Sequence, residues 1–147
     1  MKENALNLVK MCVGAQSVSD HYYWQEQKLF RRSDSTKLCA KHITRMRPKR
    51  AEEILNGGSL YWVFRGVILA RQEIIGLEDI LGIDNVLRCA IILNPQIILT
   101  EPQRKRPFQG WRYLRFNDAP RDVKSFSNGD TELPLNMERD LLEIGVC

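Results

Sequence analysis

The stretch Ser59–Leu77, SLYWVFRGVILARQEIIGL, constrains this chain most. Ser59–Arg65 reads as a strand with large aromatics on both faces. Gly66 interrupts it and Val67–Leu77 resumes. In an extended chain Val67, Leu69, Arg71, Glu73 and Ile75 point one way, and Ile68, Ala70, Gln72, Ile74 and Gly76 the other. A single Gly between two strand-like runs predicts a bulge or sharp bend, as at the corner of a barrel.

The flanks supply the other layers. Ala5–Val13 predicts a first strand. Ser17 or Ser19 is an N-cap for a helix over Asp20–Arg32, with Asp20 three residues after Ser17 as capping-box partner. Val18, Tyr22, Gln25 and Leu29 share one helical face. Ser33–Lys37 is a polar loop, and Leu38–Met46 alternates as a second strand. Pro48 suits the first turn of a short helix through Lys49–Leu55, stopped by Asn56-Gly57-Gly58. Glu78–Val86 reads as a turn region holding a short helical turn. Leu87–Leu93, LRCAIIL, predicts a strand buried on both faces or nearly so. Asn94-Pro95 is a turn before a strand over Gln96–Thr100. Asp118 is an N-cap for a brief helix, Ser125–Glu132 a turn, and Met137–Ile144 a final amphipathic helix.

Five or six short strands cluster in the middle of the chain, beside three or four short helices. That pattern is α+β rather than alternating α/β. Bent strands with few connecting helices favour a small, mixed, bent β-barrel with short flanking helices. The 147 residues fit a single domain, 1–147, with no internal repeat or linker.

Composition narrows the function classes. The apolar runs are short and broken by charge, so no membrane span is expected. The N-terminal MKENALNLVKMCVG lacks the form of a signal peptide, and a cytoplasmic location is the default. Cys12, Cys39, Cys89 and Cys147 have no CxxC spacing, and only His21 and His42 could supplement them. No metal site and no cofactor are expected. Cys12, Cys39 and Cys89 read as small buried hydrophobes. The net charge is +4, but residues 117–147 carry −4 and the remaining 116 carry +8. A basic body suggests an anionic partner.

Three long blocks carry a resemblance: HITRMRPKRAEEILNGGSLYWVFRGVILARQEIIGLE, RCAIILNP, and RPFQGWRYL followed by DAPRDV. From Leu8 to Leu142 the chain resembles domain-of-unknown-function family 1489, an uncharacterised bacterial family. That resemblance implies no activity. At the level of fold the chain is similar to the PUA-like barrels, including the ASCH and EVE domains, many of which bind RNA or modified bases. The ASCH signature is absent, its nearest match being Lys49-Arg50-Ala51-Glu52-Glu53 without the preceding Gly.

Two basic clusters stand out. Arg104, Lys105 and Arg106 run into Pro107 and then Trp111, Arg112 and Tyr113. If that segment is extended, both rings share one face and Arg112 takes the other. Rings beside guanidinium groups can stack unpaired bases and contact phosphates. The bland alternative is a solvated loop entering a strand whose rings fill the core. Lys41, Arg45, Arg47, Lys49 and Arg50 surround a predicted helix start, where free N–H groups also attract anions. Within the central strand Arg71 shares a face with apolar residues and needs a partner. Glu73 is its same-face neighbour, giving either a structural ion pair or a pocket at a barrel mouth. His42 is a further pocket candidate and could pair with Cys12 or Cys39. Its alternation with Ile43 reads as a satisfied structural histidine.

No GxSxG, P-loop, HExxH or dinucleotide fingerprint is present, and the chain leans away from enzymes. The leading expectation is a module that binds RNA or a nucleotide through Arg45, Arg47, Lys49, Arg50, Arg104, Lys105, Arg106, Trp111, Arg112 and Tyr113. The alternatives are a protein-interaction or structural subunit, including a homodimer, and an enzyme on a nucleotide-like substrate using His42, Arg71 or Glu73.

Overall fold

A computed structural model describes residues 5–32 and 36–127. In chain order its elements are β1 (Leu6–Met11), α1 (Val18–Glu26), β2 (Phe30–Arg31), β3 (Leu38–Thr44), α2 (Ala51–Leu55), β4 (Ser59–Phe64), β5 (Val67–Leu81), β6 (Leu87–Leu93), β7 (Ile98–Arg104), β8 (Trp111–Arg115), a 3-10 turn (Phe116–Asp118) and β9 (Asp122–Ser125). The fold is mixed α+β and dominated by sheet. The described residues hold nine strands and two α-helices, more strand and less helix than the sequence suggests. The helix expected over Met137–Ile144 and Cys147 lie outside the described residues.

Arg65-Gly66 is a hairpin turn, not the expected bend within one strand. Both residues have positive φ, 52° and 84°, and Phe64 pairs with Val67 across the turn. Two left-handed residues match the twist of the strands they join, which is why this turn usually holds Asn or Gly. Arginine there costs about 1–2 kcal/mol, and its unsuitability hid the hairpin. The real irregularities fall between Trp62 and Val63 and between Ile74 and Gly76.

β5 is the spine. β4 pairs with its first half. β6 and then β7 run antiparallel along it: Leu81 faces Leu87, Ile74 faces Leu93, Arg71 faces Ile98 and Val67 faces Arg104. The sheet path is β2-β3-β6-β5-β4-β1-β8, with β1 parallel to β4 and β9 added to β7. Among the described residues no ladder closes the sheet between β8 and β3. Side chains cross the gap: Trp111 Nε1 donates to Met46 O at 2.8 Å, and Arg50 N donates to Tyr113 Oη at 3.3 Å.

β4 is buried on both faces. Leu60, Trp62 and Phe64 join the main core with Leu6, Leu8 and Val18. Tyr61 and Val63 join a second cluster with Val9, Ile68 and Leu114. β6 divides likewise: Cys89, Ile91 and Leu93 enter the main core, and Ala90 and Ile92 pack on Cys39. Each fully buried large side chain contributes about 1.5–3 kcal/mol.

Other boundaries move for identifiable reasons. Ser17 caps α1, its Oγ accepting from Asp20 N at 3.2 Å. The helix stops at Glu26, not Arg32, because Phe30–Arg31 pair with β3. α2 begins at Ala51, so Lys49 precedes it, and Glu52 and Glu53 already occupy its first turn. β5 continues through the expected turn to Leu81, where Glu78 pairs with Arg32 and Asp79 with Arg47. The final strand of the expected set runs to Arg104 rather than Thr100. Asp118 ends a 3-10 turn instead of capping a helix.

Candidate functional site

A cavity of about 210 Å³ opens between α1, β1, β3 and β4. Four rings line it: His21 and Trp24 from α1, His42 from β3, and Trp62 from β4. Lys10, Lys28 and Lys41 stand around them. Alternation delivers these groups, since Lys10 and Cys12 leave the end of β1 on the cavity side while Met11 turns to the opposite face. Gly14, at φ 93°, lets the Trp24 ring lie against the backbone; an added Cβ would sit 2.8 Å from that ring.

Gln72 organises the floor. It is fully buried, and its Nε2 donates to Gln25 Oε1 at 2.7 Å and Asn94 O at 3.0 Å. Its Oε1 accepts from Trp62 Nε1 at 2.9 Å and meets His21 Nε2 at 3.0 Å. The indole can only donate and the backbone carbonyl can only accept, so the amide has one orientation. His21 Nε2 therefore carries the proton, which leaves Nδ1 as acceptor for the Cys12 thiol 3.6 Å away. The thiol–imidazole pair is thus Cys12–His21, not a pair with His42. Burial pushes the Cys12 thiol up to about 12, so it is held as a thiol rather than the nucleophilic thiolate. Cys12 is half-buried at the cavity, whereas Cys39 and Cys89 are buried as expected.

His42 corrects the expectation of a satisfied structural histidine. Its Nε2 is buried and has no hydrogen-bond partner among the described residues. Burial pushes its pKa down to about 4, with help from Lys10 and His21. His21 is lowered too, by burial, against the pull of Gln72. At neutral pH both rings are uncharged. Lys10 is partly desolvated, which lowers its pKa. Neither Lys10 nor Lys28 has a carboxylate partner among the described residues. Lys41 Nζ lies 5.1 Å from the Phe30 ring centre. The cavity is a neutral aromatic floor with a cationic rim.

Arg71 and Glu73 do not belong to it. Arg71 is buried, and Nε and Nη2 reach Asp122 Oδ1 and Oδ2 at 2.8 and 2.7 Å while Nη1 donates to Ser59 Oγ at 2.8 Å. The expected ion pair exists, but with Asp122, which strand pairing through β7 brings close. Glu73 is exposed.

The basic residues fall into two groups. Trp111 and Tyr113 share a face, centroids 4.9 Å apart at 72°. Trp111 packs half-buried on the main core, while Tyr113 is exposed. Arg50 lies 5.6 Å from the Tyr113 ring centre and binds Glu53, and Arg47 binds Asp79. Arg45 and Lys49 are exposed nearby. Arg112, on the opposite face, covers Phe108. Arg104, Lys105 and Arg106 instead surround Gly66, where Arg65 joins them in an open cleft. Lys105 N donates to Gly66 O at 2.8 Å.

The sequence reading missed His21, Trp24 and Gln72. A signal existed, because His21, Trp24, Gln25 and Lys28 recur at helical spacing beside the apolar face of α1. Among the described residues no helix is long and apolar enough to cross a membrane, and no three His, Cys, Asp or Glu could hold a metal ion.

Fold and site together define a sheet-dominated α+β protein with a cavity lined by aromatic rings. Its family model, Protein of unknown function (DUF1489), matches residues 8–147, and the chain belongs to that family. No curated protein and no solved structure matches the chain.

Proposed function

We propose that this chain is a binding module for RNA or a nucleotide, with the ring cavity as its centre. One observation supports the reading: His42, whose buried Nε2 has no hydrogen-bond partner among the described residues, lines a cavity walled by Trp24 and Trp62 and rimmed by lysines. A planar heteroaromatic ring would stack on indole, as bases do on aromatic side chains, and would satisfy that nitrogen where a small shift of its cover lets the ring reach it. Phosphate would meet Lys10 and Lys28. At about 210 Å³ the space is below the roughly 300 Å³ of pockets that enclose a whole drug-sized ligand, so a ring enters and the rest stays outside. Trp111, Tyr113 and Arg50 offer a second stacking surface. The small PUA-like barrel belongs to this proposal, supported by the bonds from Trp111 and Tyr113 to the chain beyond β3.

The test is calorimetric titration of nucleoside monophosphates and of RNA and DNA strands, followed also by tryptophan fluorescence. Binding that quenches fluorescence and falls at least about tenfold in His42→Ala supports the reading, as expected for a lost hydrogen bond to a buried group. Equal binding by wild type and His42→Ala counts against it. A second reading, a protein-interaction subunit, is favoured by the β5–β6 turn, where Leu81, Ile83 and Leu87 are all largely exposed. Dimers in a sizing experiment that dissociate in Ile83→Asp would favour it.

A further inference from the structure

The end of β1 separates two sites by the thickness of one strand. Lys10 and Cys12 face the ring cavity, and Met11 between them lines the cleft of Arg65, Arg104, Lys105 and Arg106. None of these four cations has a carboxylate within ion-pair distance among the described residues. This differs from Arg47 and Arg50, which are paired. Arg65 also occupies a left-handed turn position that Gly or Asn would fill without strain. The hairpin thus keeps a cation at the cleft where local geometry favours another residue.

A ring in the cavity whose remaining chain crosses the end of β1 meets this uncompensated charge directly. A nucleoside monophosphate has one phosphate group, one sugar away from its base, and gives four further cations nothing more to bind. A strand has phosphates at regular intervals beyond the ring. We propose that the ligand is single-stranded nucleic acid, one base in the cavity and the following phosphates on Arg65, Arg104, Lys105 and Arg106. This rests on the cavity being a ring site.

The experiment compares uridine and adenosine monophosphates with RNA and DNA strands of about eight nucleotides, a length within the usual span of single-strand modules. Affinities are measured between about 50 and 200 mM salt. The expected result is strand binding at least about tenfold tighter than monomer binding at low salt. In Arg104→Ala/Lys105→Ala/Arg106→Ala strand affinity falls, and the slope of log affinity against log salt shrinks by about 2, the loss of three single-strand phosphate contacts. Monomer affinity stays unchanged. Arg65→Gly gives opposite signs, a higher Tm because the turn relaxes and weaker strand binding because a cation is lost. Equal strand and monomer affinities, or strand binding and slope unmoved by the triple variant, overturn the inference while leaving the cavity reading intact. If His42→Ala and Trp24→Ala bind every probe as wild type does, or wild type binds none, the cavity reading falls and this one with it. RNA over DNA, or the reverse, identifies which strand the module takes.

Discussion

His42 stands edge-on to Trp62, with ring centroids 5.2 Å apart and planes at 88°. Both rings line the cavity, and the packing keeps the Nε2 of the imidazole from water. A neutral ring tolerates that burial and an imidazolium does not. Lys10 and His21 press the same way.

The first prediction concerns pH. The folded pKa of His42 lies at about 4 against an ordinary 6.5. Between those values the unfolded chain binds a proton that the folded chain refuses, so stability is full above about pH 6.5 and is lost as pH falls toward 4. At about 1.4 kcal/mol per pKa unit the loss is of order 3 kcal/mol. His21 adds to it in the same direction. The bonded carboxylates Asp84, Asp122 and Glu53 have lowered values, and their losses come at lower pH. Urea midpoints at about pH 7 and 4.5 should separate more widely in wild type than in His42→Phe, which keeps a ring and does not titrate. Equal separation would remove His42 as the titrating group.

A second prediction tests Gln72. Its carbonyl takes two donors and its amide nitrogen serves two acceptors, all in the interior. Gln72→Glu keeps the size and the two accepted bonds but turns acceptor toward Gln25 Oε1 and Asn94 O. Leaving buried groups unmatched costs about 1–3 kcal/mol, and a carboxylate beside His21 should raise that imidazole's pKa. Chemical denaturation gives the first effect and an NMR titration of His21 the second. A variant as stable as wild type, with His21 unmoved, would mean the network is wrongly drawn.

The identity of Arg71's partner gives a third. Removing Asp122 strands a buried guanidinium, and Asp122→Ala should cost about 3–5 kcal/mol. Glu73 is an exposed neighbour on the strand, and Glu73→Gln should change stability by no more than about 0.5 kcal/mol. The two denaturation curves decide between them; a larger effect at Glu73 would restore the pairing expected from the sequence.

How much was readable in the chain depends on how local each cause is. Leu87–Leu93 declared itself because a short apolar run needs cover on both faces, and Cys89–Leu93 have it, although Leu87 at its start is largely exposed. Ser17 declared α1 by its own cap. Arg65-Gly66 did not declare a hairpin because Arg is an unfavoured left-handed residue. Glu78 and Asp79 looked like turn residues because their partners, Arg32 and Arg47, lie more than thirty residues away in the chain. Asp122 was invisible as the partner of Arg71 for the same reason: β7 and β9 must pair before the two meet. The cavity is the extreme case. His42 was named as a pocket candidate, but Trp24, Trp62 and Gln72 converge on it only through the register of three strands and a helix.

The last prediction joins backbone to site at Gly14. Its φ of 93° is one that L side chains rarely adopt, and an added Cβ would meet the Trp24 ring at 2.8 Å. Gly14→Ala should therefore cost about 1–2 kcal/mol of backbone strain and push the ring out of the cavity wall. Two readouts separate these effects. Stability should fall in Gly14→Ala but not in Trp24→Ala, where an already half-exposed ring is removed. Affinity for whatever ring the cavity takes should fall in both. If Gly14→Ala lowers stability while nucleotide and strand binding stay at the wild-type level, Trp24 is only covering the strand end. The ring would then be held by Trp62 and His42 alone.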